Sequence, residues 1–309
     1  MSEQLASIDE LTHAIAGISH VEKPYLISQL ELKKLLLEKA PLDKELQEAE
    51  AKVGVWNAEI KNIESWSFQW FLLFITAIAT EKRRACNGLK KAEEKVKEAR
   101  VKVDGMNERI QDITRPNEKN AIDHRTLQKY REELTELLDG VLQSKEMTGT
   151  IDALRQEVDD IQYLLEQIEE EDKRITHVRE HLDIADIAIL EAIVELRHGG
   201  EKSVDDGKIY FPQIAYDALK EARMLCPELP SIAPPEKYVD EADDTGAYYS
   251  PMQRYLWDVR RRLEELMKWC ADKVQANMET NIQKKIELGY KIDEWNVERR
   301  RLAKQMLNT

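Results

Sequence analysis

The stretch LDKELQEAEAKVGVWNAEIKNI, residues 42–63, repeats apolar side chains at alternating steps of four and three residues. This is the spacing of a coiled-coil seam, in which a narrow apolar line on one helix packs against a neighbouring helix. The seam positions are Leu42, Leu46, Ala49, Val53, Trp56, Ile60 and Ile63. The stretch therefore predicts a long helix that is stable when it packs against other helices.

The same spacing recurs along most of the chain, in residues 85–113, 127–141, 151–196 and 252–306. Charged residues make up 34% of the 309 residues, and the chain holds 11 Gly and 9 Pro. This composition is typical of long helices that bury one apolar line and leave the remaining surface in water. We therefore predict an all-α fold, an elongated antiparallel coiled-coil helical bundle with one apolar, aromatic head.

Helix-breaking residues divide this single elongated domain into four segments. Residues 1–22 form a short N-terminal helix. Residues 24–200 form the long coiled-coil helices. Residues 201–250 form an acidic crossover that holds five of the nine prolines and one short helix. Residues 251–309 form a last long helix that packs on the bundle.

Within the long helices we expect interruptions at Pro41 and Pro116, because proline lacks the N–H group that a helix interior needs. The pair Asn87-Gly88 leaves two alternatives open. Asparagine followed by glycine suits a helix end and a hairpin turn. The seam that continues in phase through Leu89 suits one uninterrupted helix.

An uncharged stretch, SWSFQWFLLFITAIAT at residues 65–80, separates the first two seams. We call it the apolar segment, and residues 64–86 the apolar head. As a helix, its sixteen residues would span about 24 Å, which is less than the roughly 30 Å hydrocarbon core of a bilayer. Length therefore favours burial in protein. The Trp residues at one end and the basic cluster at the other favour a membrane interface.

The side chains expected to contact a membrane or a partner lie in and just after this segment. They are Trp66, Phe68, Trp70, Phe71, Phe74, Ile75, Ile78, Lys82, Arg83 and Arg84. A narrow polar stripe follows the same segment and consists of Ser65, Gln69, Thr76 and Thr80. In a bundle such a stripe meets hydrogen-bond partners, and in an oligomer within lipid it faces the helix interface or a lumen.

The general plan, long helices that carry one apolar segment, resembles that of the α-helical pore-forming toxins of the cytolysin A and xenorhabdolysin kind. It resembles membrane-shaping BAR domains less closely. The resemblance is one of architecture and includes no residue motif. It implies a soluble helical protein that inserts into, shapes or lies on a bilayer, as an oligomer.

The alternative hypothesis is a cytoplasmic coiled-coil scaffold whose apolar segment is buried in a homo-oligomer or against a second helical protein. The N-terminus lacks the basic flank and apolar core of a signal peptide. We therefore expect a cytoplasmic location, at a membrane surface under the first hypothesis. The net charge of −14 argues against nucleic acid as a partner, because phosphate attracts basic proteins.

Charge is unevenly distributed along the chain. Residues 151–196 hold fourteen acidic and four basic side chains, whereas residues 254–304 hold thirteen basic and nine acidic ones. We expect the acidic helix to pack against basic helices. Asp172, Arg179 and Asp186 fall on the predicted seam of the acidic helix, where charge is unfavourable. We interpret these three as residues that set the helix register through partners across the bundle.

The sequence indicates a non-enzymatic protein without a metal or cofactor. His177, Glu180 and His181 have the H-x-x-E-H order of a class of zinc peptidases. They lie inside a regular seam helix, however, which favours solvated helix-face residues. The spacing of the three cysteines matches neither a disulfide framework nor a zinc knuckle.

Overall fold

The computed structural model describes residues 2–66, 75–142, 149–197, 212–230 and 251–307. Six α-helices and one 3-10 turn, Ser19–Val21, make up its regular structure. The helices are α1 (Ser2–Ile18), α2 (Glu22–Trp66), α3 (Ile75–Leu142), α4 (Gly149–Arg197), α5 (Gln213–Leu225) and α6 (Pro251–Leu307). Since these described ranges contain no strand, the predicted all-α helical bundle is confirmed.

The chain divides into two compact units. The first contains residues 1–147 and 292–309, and the second contains residues 148–291. One boundary falls between α3 and α4, and the other falls inside the continuous helix α6. The first boundary lies between the predicted seams of residues 127–141 and 151–196, whereas the sequence pattern does not mark the second, because the seam spacing of α6 continues through residue 292.

The first unit packs α1, α2, α3 and the final turns of α6 around a core of large aliphatic side chains. Its buried residues include Ile8, Ile15, Leu26, Leu35, Leu127, Leu134, Leu138 and Leu142. Most of these lie in α1, in the first half of α2 and in the last turns of α3. The predicted seam positions of α2 and of residues 85–113 are all buried or half-buried.

The second unit packs α4, α5 and residues 251–291 of α6 around one apolar cluster. Its buried members include Ile175, Val178, Leu182, Ala218, Ala222, Leu256 and Leu263. Helices α4 and α6 run antiparallel, since Glu157 pairs with Lys291 and Asp186 pairs with Arg260. The acidic helix of the sequence thus packs against a basic one, as its charge predicts.

Two predicted helix breaks are wrong. Pro41 lies inside α2 and Pro116 lies inside α3. Each proline leaves one carbonyl of the preceding turn without its N–H partner. Both prolines are exposed, so water can hydrogen-bond the freed carbonyl. Asn87-Gly88 also lies within α3, so this pair is not a hairpin turn. The continuous rod is not found either, because α2 ends at Trp66 and the antiparallel α3 begins at Ile75.

Candidate functional site

Helices α2 and α3 form an antiparallel hairpin in the first unit. Three ion pairs join them, with N to O distances of 3.8, 3.1 and 2.8 Å: Arg109–Glu38, Lys102–Glu45 and Arg100–Glu50. As the residue number rises on α2 it falls on α3. Both helices therefore approach one end of the hairpin, which carries Trp66 of α2 and Ile75 of α3 and is joined by residues 67–74. We call this the hairpin end.

The indole of Trp56 on α2 lies against Gly88 on α3. A Cβ atom on residue 88 would lie 2.6, 2.7 and 2.8 Å from Cε2, Cζ2 and Cδ2 of Trp56. These distances are well below the roughly 3.5 to 4.0 Å at which carbon atoms pack. Gly88 is therefore a close-approach position between two helices, which explains a glycine in the middle of α3.

Near the hairpin end the fully buried side chains of the described interface are small, and the larger seam residues, Trp56 among them, are half-buried. Among the described side chains from residue 50 to residue 102, the buried ones are Ala85, Ala92 and Ala99. On α3 the larger buried apolar residues begin at Val103 and Met106, and buried leucines follow from Leu127 onward. Alanine allows the two helix backbones to approach closely but buries little apolar area.

Most of the predicted contact residues lie where the structure describes no side chain. Phe68, Gln69, Trp70, Phe71 and Phe74 fall in residues 67–74, outside the described residues. Five more belong to described helices without a described side chain, and these are Ser65, Trp66, Ile75, Thr76 and Ile78. Their predicted contacts remain predictions.

The described residues that follow are exposed. Thr80 of the polar stripe and the basic residues Lys82, Arg83 and Arg84 all face solvent. The Arg84 side chain is 71% exposed and lies 3.7 Å from a carboxylate oxygen of Glu81. Contacts this exposed contribute little to stability. The structure therefore keeps the basic side chains at the hairpin end accessible.

A buried ion-pair network closes the opposite end of the hairpin. Arg131 of α3 is 3% exposed and donates hydrogen bonds to both carboxylate oxygens of Glu22, at 2.6 and 2.9 Å. It also donates to both oxygens of Asp293 on α6, at 2.9 and 2.6 Å. Burial alone would lower the pKa of Arg131, but the hydrogen bonds to these two carboxylates raise it above its ordinary value. The network joins the start of α2 to α3 and α6.

A second buried arginine lies on the same side of the first unit. Arg299 of α6 is fully buried, pairs with Asp139 of α3 and donates to the carbonyl oxygen of Thr135 at 3.3 Å. Its guanidinium lies 4.2 Å from the ring centroid of Trp295, a cation-π contact. The next residue, Arg300, and Lys304 one helical turn later pair with Asp9 of α1, at 2.6 and 3.0 Å.

Neither buried arginine was predicted, although both lie at positions that the seam spacing marks. Residues 127, 131, 134 and 138 repeat the seam steps, and so do residues 292, 295, 299 and 302. In residues 127–141 the apolar residues alone predict a seam that includes Tyr130 and Leu137. The buried residues are Arg131 and Leu138.

Of the three seam charges predicted on α4, two have partners across the second unit. Asp172 accepts a hydrogen bond from Asn277 at 2.9 Å, and Asp186 pairs with Arg260 at 2.7 Å. The interpretation of Arg179 as a seam residue is wrong, because Arg179 is exposed. Val178 is the buried residue at that level, and Ala185 is buried beside Asp186. From Ile175 to Ile189 the buried positions therefore follow steps of three and four residues instead of the predicted four and three.

The histidines of the H-x-x-E-H stretch lie on the surface of α4. Nδ1 of His177 lies 3.0 Å from Oε2 of Glu180, and both side chains are 64% exposed. Across the described ranges, no three His, Cys, Asp or Glu side chains are grouped as a metal site would require. Cys226 and Cys270 are buried in the second unit, where burial raises the pKa of the Cys270 thiol to about 11.

Comparison with protein-family models, curated proteins and solved structures finds nothing that matches this chain. Of the helices in the described ranges, none combines the length and apolar character needed to cross a bilayer.

Proposed function

We propose that this protein is a non-enzymatic helical bundle that engages a membrane through its apolar head, as an oligomer. The observation that carries the proposal is that the fully buried side chains between α2 and α3 near the hairpin end are small, so little apolar area is buried there. Three Phe, two Trp and several aliphatic residues follow one another in residues 65–80. On either side of this segment, from residue 50 to residue 102, the fully buried described side chains are alanines.

Aromatic side chains have about 150 to 250 Å² each to cover. Near the hairpin end the described interface buries alanines and half-buries the Trp56 indole against Gly88, so it has little space for further rings. Contiguous apolar surface of this size usually marks a site for a membrane or another protein. The exposed Lys82, Arg83 and Arg84 next to the segment favour a membrane, because basic residues commonly flank membrane-contacting segments.

The second candidate function is a scaffold that buries the same segment against another copy of the chain or a second helical protein. The polar stripe supports this candidate, since Ser65 belongs to α2 and Thr76 and Thr80 belong to α3, so the hairpin end can present a polar face. Such a face can hydrogen-bond across an oligomer interface. The two candidates differ in what covers the aromatic side chains.

Vesicle flotation of the wild type and of a Phe71→Ser/Phe74→Ser variant separates the candidates. Membrane engagement predicts that the wild type floats, that the variant stays in solution and that its melting temperature is unchanged. The scaffold predicts that neither floats, and that the variant melts earlier or has a smaller oligomeric mass. A matched control replaces two exposed aromatics of the second unit, Tyr163 and Tyr290, by Ser, and should behave as the wild type.

Cys86 provides a reporter close to the hairpin end. It is half-buried on α3, whereas the other two cysteines are buried. A polarity-sensitive fluorophore on Cys86 should shift to shorter wavelength when vesicles are added. The same fluorophore on a Lys129→Cys/Cys86→Ser variant should not shift, because residue 129 lies far from the hairpin end on α3. Equal shifts at both positions would contradict engagement through the apolar head.

A further inference from the structure

The hairpin end carries a local excess of positive charge. Residues 57–91 hold six basic and three acidic side chains, although the whole chain has a net charge of −14. The basic ones are Lys61, Lys82, Arg83, Arg84, Lys90 and Lys91, and all six are exposed. A local positive region on an acidic protein favours an anionic partner at this end.

Basic residues elsewhere on α3 are neutralised across the hairpin. Arg100, Lys102 and Arg109 each pair with a glutamate of α2. Closer to the hairpin end, Arg84 pairs with Glu81 of α3 itself. Within the described parts of the chain, no acidic side chain pairs with Arg83, Lys90 or Lys91. The charge of these residues is therefore available to a partner.

The basic residues of α3 differ in their distance from the end of the apolar segment. With the apolar segment in hydrocarbon up to Thr80, Lys82 to Arg84 lie about 3 to 6 Å beyond the hydrocarbon edge. The headgroup layer is about 5 to 7 Å thick on each side of a bilayer, so these three residues fall within it. Lys90 and Lys91 lie about 15 Å beyond Thr80, which is about 8 to 10 Å outside the headgroup layer and about one Debye length from it at physiological salt.

The directions in which Lys82, Arg83 and Arg84 leave α3 fit contact with a planar layer of charges. Consecutive residues on an α-helix are about 100° apart, so Lys82, Arg83 and Arg84 point around most of the helix circumference. Arginine and lysine both bind phosphate, and arginine does so through two parallel hydrogen bonds. Such a collar contacts several headgroups at once rather than one ligand in a pocket.

We propose that Lys82, Arg83 and Arg84 bind the phosphate and carboxylate groups of anionic phospholipids, with Lys90 and Lys91 as a weaker outer pair. This inference rests on the proposed function. It adds a lipid class to that function, because it makes membrane binding depend on anionic lipid. We call the three inner residues the basic collar.

The test compares vesicles of phosphatidylcholine alone with vesicles of equal parts phosphatidylcholine and phosphatidylserine, by flotation of the full chain. Wild type should prefer the mixed vesicles, and added salt should reduce that preference. Each cationic side chain near an anionic surface strengthens binding about fivefold, so neutralising the collar with Gln should weaken binding to mixed vesicles about 100-fold.

Two control variants bracket the effect. Lys90→Gln/Lys91→Gln should weaken binding less than fivefold in total, since screening reduces the contribution of distant charges. Lys119→Gln/Arg125→Gln/Lys129→Gln removes three exposed charges far from the hairpin end and should leave binding unchanged. All variants should keep the wild-type melting temperature.

The outcomes separate this inference from the function it rests on. Equal wild-type binding to both kinds of vesicle, or an unaffected collar variant, overturns the lipid preference and leaves membrane engagement intact. Flotation with neither kind of vesicle overturns both. Wild type that binds a DNA duplex as tightly as mixed vesicles in the same salt overturns the assignment to lipid.

Discussion

Replacing Gly88 by alanine tests the packing of α2 against α3 near the hairpin end. The added methyl would lie 2.6 to 2.8 Å from three atoms of the Trp56 indole. The ring must move by roughly 1 Å to restore normal carbon contacts. The indole is rigid and packs between two helices, so its movement disturbs the hairpin rather than one flexible side chain.

Two effects set the size of the change. Alanine stabilises a helix interior by about 0.5 to 1 kcal/mol relative to glycine, and overpacking costs about 1 to 3 kcal/mol. We expect Gly88→Ala to lower the free energy of unfolding by about 1 kcal/mol. Gly105→Ala lies on the same helix with open space around its Cβ position, so it should raise this free energy by about 0.5 to 1 kcal/mol.

Urea unfolding followed by far-ultraviolet circular dichroism measures both variants. The two changes share the same gain in helix propensity, so their difference isolates the contact with Trp56. A Trp56→Ala background removes that contact, and there Gly88→Ala should stabilise as Gly105→Ala does. Equal stabilisation by both variants in the wild-type background would show that Trp56 does not lie against Gly88, and would refute the hairpin register near its end.

Three further predictions concern buried or paired groups. Arg131→Met leaves two carboxylates without their buried partner, so it should lower the free energy of unfolding measured in urea by about 3 kcal/mol. The hydrogen bond from Lys304 and then that from Arg300 lower the pKa of Asp9 below 3.8. Asp9 therefore stabilises the fold at neutral pH and loses this contribution as the pH falls below that value, so Asp9→Asn should melt earlier than wild type at neutral pH and equally in strong acid. A thiol reagent should modify Cys86 in the native protein, whereas the buried Cys226 and Cys270 should react only after unfolding.

Each of these three predictions has an outcome that would contradict it. Arg125→Met removes an exposed arginine of α3 and should change stability by less than about 0.5 kcal/mol. If Arg131→Met does no more than this control, the network with Glu22 and Asp293 is not buried. A difference between wild type and Asp9→Asn that persists in strong acid would argue against the ion pairs of α1. Rapid reaction of all three thiols in the native state would contradict the core of the second unit.

The helical class could be predicted from the sequence because seam spacing is a local property. The steps of four and three residues report which face of a helix is apolar, whatever the partner is. Pro41 and Pro116 show the limit of local rules. Proline disfavours a helix interior by about 3 kcal/mol, but packing along the rest of a long helix outweighs that cost. Nothing in the sequence near either proline reports this tertiary contribution.

The candidate site was predictable as a segment but not as a set of contacts. The absence of charge from residue 65 to residue 80 is visible in the sequence. The pairing of α2 with α3 depends on residues far apart in the chain, such as Trp56 and Gly88. The charged residues of the core were missed for a different reason. Arg131 and Arg299 occupy seam positions, and a charge there is stable only because acidic residues on other helices meet it.

Pro41 and Gly105 occupy the same level of the hairpin, between the ion pairs Arg109–Glu38 and Lys102–Glu45. Proline removes a hydrogen bond from α2 there, and the open glycine weakens α3 there. Resistance to bending is therefore reduced at this level. The part beyond it forms a lever of about 38 Å on α2, and a bend of about 10° displaces its end by about 7 Å. The first unit can re-aim the apolar head in this way while the network around Arg131 stays in place.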